Sequence, residues 1–420
     1  MNILMMTNTY LPFVGGVERS VQIFTGEYRR LGHQVLIVAP SSSQQIPSDE
    51  TGVLRVPAIQ HFNGTDFSVP LPIPGILNAA LKQFKPDIVH SHHPFIIGDS
   101  ALRISAQLKI PIVFTFHTFY ERYTHYVPGD SKALKKFVIA LATGYANLCD
   151  FVFAPSLSVA VELRRRGVLS HMEIIPTGIE TELFLNGDRR VARKWLGINE
   201  DVFVIGCVSR LAPEKNIDFL VLSVKKFLEK RRKVCFLLIG SGPCEDKIKA
   251  NLKNEIIEGK VIMPGTVTSQ PLIDCYHAMD LFVFASKTET QGLVITEAMA
   301  SGVPVVALRA SGVAEVIDDK KNGCIVENES CEDFVSAMNW VQGWGRKNNL
   351  KRNAINTASK YTKEICAQKA LTVYEGLRRK NHILRNHSES TWETAKRLIK
   401  AEMDIIKNMT RATGMAITNK

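Results

Sequence analysis

The chain has few of the features that mark secreted or membrane-spanning proteins. Its 420 residues include only 8 cysteines, none in a Cys-x-x-Cys pair. No apolar run approaches the roughly 18 residues that a membrane span requires. The N-terminus starts as a strand-like segment with no basic region or cleavage site, so we predict no signal peptide. Cys149, Cys207, Cys235 and Cys275 stand in apolar surroundings, which predicts small buried residues in a reducing cytoplasm.

Excess positive charge is absent from most of the chain and concentrated at its end. Residues 1–340 contain 35 Lys and Arg and 35 Asp and Glu, whereas residues 341–420 contain 17 and 6, which is the whole net charge of +11. A basic segment gains about 1 kcal/mol per charge near anionic lipid, which predicts contact with an anionic membrane surface. A solvated basic helix would explain the same pattern. Because no nucleic-acid-binding module is recognisable, we predict no nucleic-acid partner.

Short apolar runs alternate with amphipathic segments in both halves of the chain. This pattern is typical of parallel sheets with crossover helices and predicts an α/β fold of two doubly wound, Rossmann-like domains facing a cleft. In the first half, strands are predicted at residues 2–6, 34–39, 88–91, 112–116, 151–154 and 173–175. In the second half, they are predicted at 202–208, 234–239, 261–263, 281–284, 303–307 and 324–326.

The predicted elements divide the chain into three parts. We expect an N-terminal Rossmann-like domain at 1–184, a C-terminal Rossmann-like domain at 185–360, and a basic terminal segment at 361–420. The polar stretch 181–199 is the best linker candidate. In the terminal segment, apolar residues recur at helical spacing, and a second helix is predicted where apolar side chains alternate with Lys and Arg. That helix would suit an intramolecular groove, a lipid surface or a partner.

Two glutamates, Glu289 and Glu297, flank a predicted helix start that follows a buried strand. Between them, Gly292 allows a tight turn that directs the N–H groups of Gly292, Leu293 and Val294 to the start of the helix. The first amides of a helix lack internal partners and its dipole is positive there, so the segment predicts an anion site. Two carboxylates around such a site would suit a diphosphate carried between two hydroxyl-rich sugars. A surface loop with solvated acids is the alternative.

Arg210 and Lys215 follow the predicted strand 202–208 immediately. In open α/β sheets, ligands bind at the carboxyl ends of strands. The guanidinium fork and the ammonium group could together neutralise a diphosphate. A pair of solvated basic residues is the alternative for these two alone, but their occurrence together with the two glutamates favours a nucleotide-sugar site.

With these motifs, the chain resembles the retaining, nucleotide-sugar-dependent glycosyltransferases of family four, which have the GT-B fold. The resemblance covers roughly residues 1–380 and rests on Gly15-Gly16-Val-Glu-Arg19, His117, Ile175–Glu180, Ser209–Asn216, Gly240–Pro243 and Glu289–Pro304. Segments 117–126 and 287–294 are most similar to enzymes that glucosylate diacylglycerol. The resemblance implies that domain 1–184 binds the acceptor, that domain 185–360 binds the nucleotide sugar, and that the terminal helix in 361–420 crosses back onto the N-terminal domain.

The resemblance also assigns roles to residues. Glu289, Arg210, Lys215 and His117 are implied to be catalytic, with His117 orienting the transferring sugar and the acceptor hydroxyl. The implied donor-binding residues are Gly15, Gly16, Arg210, Lys215, Gly292, Leu293, Val294 and Glu297. We expect no cofactor and no metal, because Arg, Lys and a helix dipole can supply the positive charge that Mg²⁺ otherwise would. The nucleotide sugar, expected to be UDP-linked, is a substrate.

His90, His92 and His93 form a cluster that suggests a metal site. Neither a fourth ligand nor a cysteine partner is evident nearby, so we interpret them as loop and acceptor-cleft residues. Gly240–Pro243 lacks the Lys-Ser/Thr of a P-loop and is interpreted as a strand–helix turn.

Two segments are candidates for acceptor or membrane contact. One is an apolar loop with Phe62 and Phe67. The other is the amphipathic helix 131–148, where Lys132, Lys135 and Lys136 lie beside an apolar face; core packing is the alternative explanation of that face. Loops lie at the surface, so an unusually apolar one favours a binding role.

The motifs and the resemblance together predict a glycosyltransferase that moves a hexose, expected to be glucose, from a nucleotide diphosphate sugar to a hydroxyl of a membrane lipid such as diacylglycerol. Retention of the anomeric configuration is implied by the resemblance. Such an enzyme would be cytoplasmic and peripheral on the inner face of the cell membrane. Three alternatives remain. They are a glycosyltransferase acting on a soluble sugar or polysaccharide, a GT-B nucleotide-sugar epimerase, and a non-catalytic membrane-associated binding protein.

Overall fold

The computed structural model shows an α/β chain made of two compact units. Unit 1 comprises Met1–Gly178 and Lys363–Lys420, and unit 2 comprises Ile179–Thr362. The structure describes residues 1–13, 15–42, 50–60, 69–71, 74–124, 130–229, 231–344, 349–385 and 391–417. Within this described part, no helix combines the length and the apolar composition needed to cross a bilayer.

Unit 1 is built on a parallel sheet of seven strands in the order β3-β2-β1-β6-β7-β8-β9. Its strands are β1 (Asn2–Met6), β2 (Gln34–Pro40), β3 (Val53–Val56), β4 (Ala58–Ile59), β5 (Val69–Pro70), β6 (Ile88–Ser91), β7 (Ile112–Thr115), β8 (Phe151–Ala154) and β9 (His171–Ile174). Its helices are α1 (Gly16–Arg30), α2 (Pro74–Phe84), α3 (Ile97–Leu108), α4 (Lys132–Leu148), α5 (Leu157–Arg165), α15 (Lys363–Arg385) and α16 (Thr391–Ile417). Strands β4 and β5 form a separate antiparallel pair.

The chain starts in the middle of this sheet and builds outwards in both directions. Strand β1 pairs with β2 on one side and with β6 on the other, so the strand order reverses between β1 and β6. Helix α1 covers one face through Val21, Phe24 and Tyr28, which recur at helical spacing. In an open α/β sheet, the crevice at such a reversal is where ligands bind.

The two C-terminal helices pack on unit 1. Helix α15 lies against α1 and buries Cys366, Ala370 and Tyr374 in the same core. Helix α16 lies against α3 and α4, where Glu402 forms an ion pair with Arg103. The return of the terminal helix to the N-terminal domain is thus confirmed, and the basic extension forms the second helix that its pattern predicts.

Unit 2 contains a parallel sheet of six strands in the order β12-β11-β10-β13-β14-β15. Its strands are β10 (Phe203–Val208), β11 (Val234–Ile239), β12 (Val261–Gly265), β13 (Leu281–Phe284), β14 (Val305–Leu308) and β15 (Gly323–Val326). Its helices are α6 (Thr181–Leu185), α7 (Arg189–Leu196), α8 (Ile217–Leu228), α9 (Glu245–Asn251), α10 (Lys253–Ile257), α11 (Ser269–Ala278), α12 (Leu293–Ala300), α13 (Cys331–Trp344) and α14 (Leu350–Ala358). The central strands are buried on both faces, as their continuous apolar runs require.

The linker prediction for 181–199 was wrong, because this stretch holds α6 and α7. Arg193 of α7 is buried and donates to the backbone oxygens of Ala278 and Asn199, so the polar composition reflects internal hydrogen bonds. The compact units divide after Gly178 and after Thr362, where the sequence suggested 184 and 360. Residues from Lys363 onward belong to unit 1.

Candidate active site

In unit 2, the strand order reverses between β10 and β13, which are hydrogen-bonded neighbours. The loop after β10 carries Arg210 and Lys215, and the loop after β13 carries Glu289. Because parallel strands end at the same edge, the two loops lie side by side. The Thr288 hydroxyl donates to the Glu214 carbonyl oxygen at 3.2 Å and ties one loop to the other.

The Arg210–Lys215 loop rests on the turn that follows β11. Leu211 N donates to the Ser241 carbonyl oxygen at 2.9 Å, and Cys244 N donates to the Leu211 carbonyl oxygen at 2.9 Å. Gly240 has φ +132°, and a Cβ there would lie 1.9 Å from the Ser209 carbonyl oxygen. Only glycine permits this approach. The Gly240–Pro243 segment is therefore the strand–helix turn that the sequence predicted, and it supports the Arg210 loop.

Lys215 and Glu289 form an ion pair. The Lys215 Nζ lies 2.5 Å from the Glu289 Oε1, and both side chains are mostly buried. Burial alone would raise the pKa of Glu289, but the Lys215 charge outweighs it and holds this pKa below its ordinary value. Glu289 is thus ionised at neutral pH. A lysine and a carboxylate held this way offer one group for an anion and one for hydroxyls.

The start of α12 has the geometry of an anion site. Gly292 is the N-cap residue with φ +71°, and the amides of Leu293 and Val294 stand in the first turn, where a helix has no internal acceptors for them. Behind this loop lies Gly312, at which a Cβ would be 2.4 Å from the Thr290 carbonyl carbon. The close backbone packing fixes the loop that carries Glu289.

Glu297 is buried inside the first turns of α12. The Tyr276 hydroxyl donates to the Glu297 Oε2 at 2.8 Å, and Glu297 as a whole is 2% exposed. Tyr276 itself is fully buried against Phe184 and Phe282. Nothing in the sequence indicates this partner, because Tyr276 lies on α11 and its apolar surroundings predict only a core residue.

In unit 1, the donor-binding candidates Gly15 and Gly16 lie in the loop after β1, at the strand reversal between β1 and β6. Gly15 is the N-cap residue of α1, and a Cβ there would lie 2.5 Å from the Glu18 Oε2. At Gly16, a Cβ would meet nothing within 4 Å. Glu18 is buried in the first turn, and burial raises its pKa. The side chain that closely approaches Gly15 is thus Glu18, for which no role was predicted. The backbone at Gly16 is open.

His117 and His92 meet where β6 and β7 end. His92 Nδ1 lies 2.9 Å from His117 Nε2, and the two rings stack with centroids 5.1 Å apart. Burial lowers the pKa of His117 to about 3 and the pKa of His92 well below its ordinary value. Both imidazoles are therefore neutral at physiological pH.

The other two histidines have separate partners. The Asn8 backbone N–H donates to His93 Nδ1 at 3.1 Å, and His90 Nε2 lies 2.6 Å from the Thr115 hydroxyl. His90 Nδ1 lies 2.5 Å from the Tyr374 hydroxyl on α15. Long-range pairs of this kind have no sequence signal. In the described residues, no three His, Cys, Asp or Glu side chains are grouped to hold a metal ion. The absence of a metal requirement stays a prediction.

The structure describes only some of the candidates for acceptor or membrane contact. Phe62 and Phe67 lie outside the described residues. Lys132 and Lys135 are exposed at the start of α4, and Lys136 is half-buried. The apolar face of α4 packs against α16 and contributes Tyr145 to the core, so it follows the core-packing alternative. All eight cysteines are free thiols, and seven of them are buried.

Family comparisons match both units. Residues 14–183 match Glycosyltransferase Family 4, and residues 188–358 match Glycosyl transferases group 1. The alpha-monoglucosyldiacylglycerol synthase of Streptococcus pneumoniae is 31% identical over 341 residues, which cover 78% of this chain and 76% of that protein. The alpha-monoglucosyldiacylglycerol synthase of Acholeplasma laidlawii is 28% identical over 394 residues, covering 91% of this chain and 98% of that protein.

Solved structures with lower identity have the same fold. The Anabaena protein HepE in complex with UDP superposes with a TM-score of 0.69 at 20% identity, covering 90% of this chain and 100% of that chain. The sucrose-phosphate synthase of Thermosynechococcus elongatus superposes with a TM-score of 0.75 at 17% identity, with the same coverage. Both confirm the predicted fold of two Rossmann-like units. The chain therefore belongs to the family-four glycosyltransferases, hexosyltransferases that use nucleotide sugars and have the GT-B fold.

Proposed function

We propose that this enzyme transfers glucose, with retention, from UDP-glucose to a hydroxyl of a membrane lipid such as diacylglycerol. The observation that supports the donor half most strongly is the Lys215–Glu289 ion pair beside the α12 N-terminus, at the strand reversal of unit 2. Support for the acceptor comes from the relatives in S. pneumoniae and A. laidlawii, both named as glucosyldiacylglycerol synthases.

Donor binding divides among these groups by their chemistry. Arg210, Lys215 and the amides at the start of α12 hold the diphosphate, since they present positive charge and N–H donors. Glu297 accepts hydrogen bonds from ribose hydroxyls, and Tyr276 fixes its orientation. Glu289 grips the hydroxyls of the hexose once its Lys215 partner turns to phosphate. The donor-binding role of Gly15 and Gly16 stays a prediction.

In the transfer step, the bond between the anomeric carbon and the diphosphate oxygen breaks, and the acceptor oxygen bonds to that carbon. The bonding electron pair leaves with the diphosphate, so its negative charge grows toward the transition state. Arg210, Lys215 and the helix dipole stabilise that charge, which lowers the barrier by differential binding. His117 stays neutral and orients the acceptor hydroxyl, whose proton leaves with the departing UDP. On this scheme, no metal ion and no cofactor are required.

The choice of a lipid acceptor is more specific than family membership implies. Other relatives of this chain are named as GDP-mannose-dependent alpha-mannosyltransferases, at 28% identity in Corynebacterium glutamicum. Family membership alone therefore leaves both donor and acceptor open. The 31% identity to the S. pneumoniae enzyme and the 91% of this chain that aligns with the A. laidlawii enzyme, against 28% and 81% for the mannosyltransferase, favour glucose and lipid. We place the enzyme at the cytoplasmic side of an anionic cell membrane, as a peripheral protein, because its excess positive charge lies after residue 340.

The test is a transfer assay with radiolabelled UDP-glucose, GDP-mannose and other nucleotide sugars against purified diacylglycerol and a membrane-lipid extract. We expect label from UDP-glucose in the lipid phase. A soluble product formed equally well without lipid would favour an enzyme acting on sugars. Conversion of the nucleotide sugar alone into an epimer would favour an epimerase, and binding without turnover of any donor would favour a non-catalytic protein.

A further inference from the structure

Helix α16 has two apolar faces, and only one is covered. The covered face places Ile405 and Ala412 against α3 and α4, with both side chains buried. The opposite face carries large apolar side chains that are 50 to 75% exposed in the described part of the chain. They are Trp392, Ile399, Met403, Ile406 and Ile417. We call this row the α16 outer stripe.

Basic residues border the α16 outer stripe. Lys396, Lys400, Lys407 and Arg411 are exposed on the same side of the helix. Of the three acidic residues of α16, Glu402 is paired with Arg103 toward α3, Glu393 is paired with Lys396, and Asp404 is half-buried. The solvent side of α16 therefore combines apolar side chains with net positive charge.

The helix is held firmly on its inner side. Asn408 Nδ2 donates to the Leu141 carbonyl oxygen at 3.1 Å, and Asn408 fills the space where a Cβ at Gly144 would stand. The Arg397 guanidinium donates to the Ala106 carbonyl oxygen at 3.2 Å. These contacts fix the rotation of α16, so the outer stripe is a permanent feature of unit 1.

We propose that the α16 outer stripe docks unit 1 on an anionic membrane surface. The inference rests on the proposed lipid acceptor and adds the surface that contacts the bilayer. From Trp392 to Ile417 the stripe extends about 38 Å at 1.5 Å per residue, a geometry suited to a helix lying in the interface. Lysines beside the stripe reach lipid phosphates, while the apolar side chains enter the acyl boundary. Two copies of the chain packed through this face would instead bring like charges together.

The experiment compares the full chain with a double variant, Ile399→Glu with Ile406→Glu, by co-sedimentation with vesicles. One vesicle is neutral phosphatidylcholine, and the other contains about 30% phosphatidylglycerol to supply negative charge. The control is Leu169→Glu with Val161→Glu, which changes two exposed apolar residues of unit 1 outside α16. Thermal unfolding of all three proteins verifies that each folds.

We expect the wild type and the control to bind anionic vesicles at least about tenfold more tightly than neutral ones, since each basic residue adds about 1 kcal/mol. Binding should weaken as salt rises from 0.1 to 1 M, where the Debye length falls from about 10 to 3 Å. The double variant should lose about tenfold or more in affinity. Wild-type vesicle binding by a folded double variant would overturn the proposal. So would a wild-type dimer in sedimentation velocity that the double variant abolishes.

Activity separates this proposal from the proposed function. On diacylglycerol dispersed in neutral detergent, the double variant should transfer glucose at the wild-type rate, because α16 is outside the donor site of unit 2. On anionic vesicles, it should be slower. If neither protein glucosylates lipid in either form, the proposed function fails while vesicle binding still tests the surface.

A separate observation concerns His92. Its Nδ1 is paired with His117 Nε2, whereas its Nε2 is buried and has no hydrogen-bond partner among the described residues. One of the two paired nitrogens must carry the proton. An orphaned buried N–H is rarer and costlier than an orphaned lone pair. We infer that His92 donates from Nδ1 and that its bare Nε2 is the unpartnered atom.

This assignment makes His92 a positioning residue for His117. If His117 Nε2 accepts from His92, its own proton must be on Nδ1. That leaves His117 as a donor through Nδ1–H and prevents it from acting as a base through Nε2. His92 thus selects the tautomer with which His117 meets the acceptor hydroxyl. A hydrogen bond to one imidazole nitrogen commonly decides in this way which of the two nitrogens carries the proton.

The test uses His92→Phe, which removes the donor, and His92→Asn, whose amide can replace Nδ1–H. We expect His92→Phe to lower kcat about tenfold or more, with nucleotide affinity unchanged, and His92→Asn to restore part of the loss. The ¹⁵N imidazole spectrum of the wild type should show His117 protonated at Nδ1. A spectrum with His117 protonated at Nε2 would overturn the inference, as would equal activity of both variants and the wild type.

Discussion

The two units have the same sheet design but opposite chemistry at their strand reversals. In unit 2, the reversal between β10 and β13 gathers full charges, with Lys215 against Glu289 and Arg210 nearby. In unit 1, the reversal between β1 and β6 lies beside neutral imidazoles, with His92 paired to His117. A charged crevice suits a diphosphate whose charge must be matched, and a neutral one suits a hydroxyl that must be oriented.

The comparison predicts its largest effect in unit 2. Changing Arg210 or Lys215 to Ala should raise donor KM and lower kcat, because the lost charge acts most on the departing diphosphate. The loss in kcat/KM should be about 2–4 kcal/mol, or roughly 30- to 1000-fold. Steady-state kinetics with UDP-glucose measures it. Lys247→Ala is the matched control, since Lys247 is a mostly exposed lysine paired with Asp218. Wild-type kinetics in Arg210→Ala and Lys215→Ala would remove the assignment.

The two glutamates of unit 2 should separate binding from transfer. Glu297→Gln should weaken nucleotide binding by about 2 kcal/mol, roughly 30-fold, because a buried hydrogen-bonded carboxylate is lost. Glu289→Gln should bind the nucleotide nearly normally and transfer slowly, since its partner is the hexose. Calorimetry with UDP alone, followed by single-turnover kinetics, distinguishes them. Equal losses of UDP affinity would contradict this division.

The units should also respond differently to acid. Burial holds the pKa of His93 and His117 at about 3, so the unfolded chain binds protons that unit 1 does not. Stability from these groups is complete above pH 6.5 and is lost as pH falls from about 6.5 toward 3, by about 1.4 kcal/mol per pH unit for each histidine. The lowered pKa of Glu289 means that its ionised form stabilises unit 2. That stability is complete above the unfolded pKa of about 4.3 and is lost only as the pH falls below this value.

Hydrogen exchange followed by mass spectrometry at pH 7 and 5.5 can resolve this difference. Peptides of unit 1 around β6 and β7 should lose protection first, while peptides around β10 and β13 keep theirs. Earlier loss in unit 2 would show that the acid response does not come from the buried histidines.

The smallest expected effect concerns Tyr276. Tyr276→Phe keeps the ring between Phe184 and Phe282 and removes only the hydroxyl that donates to Glu297. UDP affinity should fall by about 1 kcal/mol, roughly fivefold, and kcat should stay the same. A fall in kcat with unchanged UDP affinity would argue that Tyr276 acts on the transfer step.

Much of the fold was predictable because buried parallel strands have continuous apolar sequences. Strands β1, β6, β8, β11 and β13 have the predicted bounds. The prediction omitted the edge strand β3, since Val53–Val56 contains an arginine and is only partly buried. Edge strands carry a weaker pattern because they pack on fewer neighbours. The helices in 181–199 were missed because their charged residues find partners inside the unit.

The donor site was the more predictable of the two. Its groups lie in loops directly after neighbouring strands, so strand order alone brings Lys215 to Glu289. The contacts of Glu297 with Tyr276 and of His90 with Tyr374 join distant elements, and a single sequence carries no signal for such pairs. His92 was visible as one of a cluster, but its pairing with His117 depends on how β6 and β7 align.

Helix α15 packs on unit 1 but is synthesised after unit 2, so the core of unit 1 is completed late in synthesis. The core of unit 1 needs Cys366, Ala370 and Tyr374, which are made only after the 184 residues of unit 2, Ile179–Thr362. At about 5–20 residues per second, the ribosome takes about 10–40 s to reach them. During that time, the nascent unit 1 exposes the apolar face that α15 later covers. A fragment ending at Gly178 should therefore bind hydrophobic dyes and chaperones, and a chain extended through Ile417, which includes both terminal helices, should not.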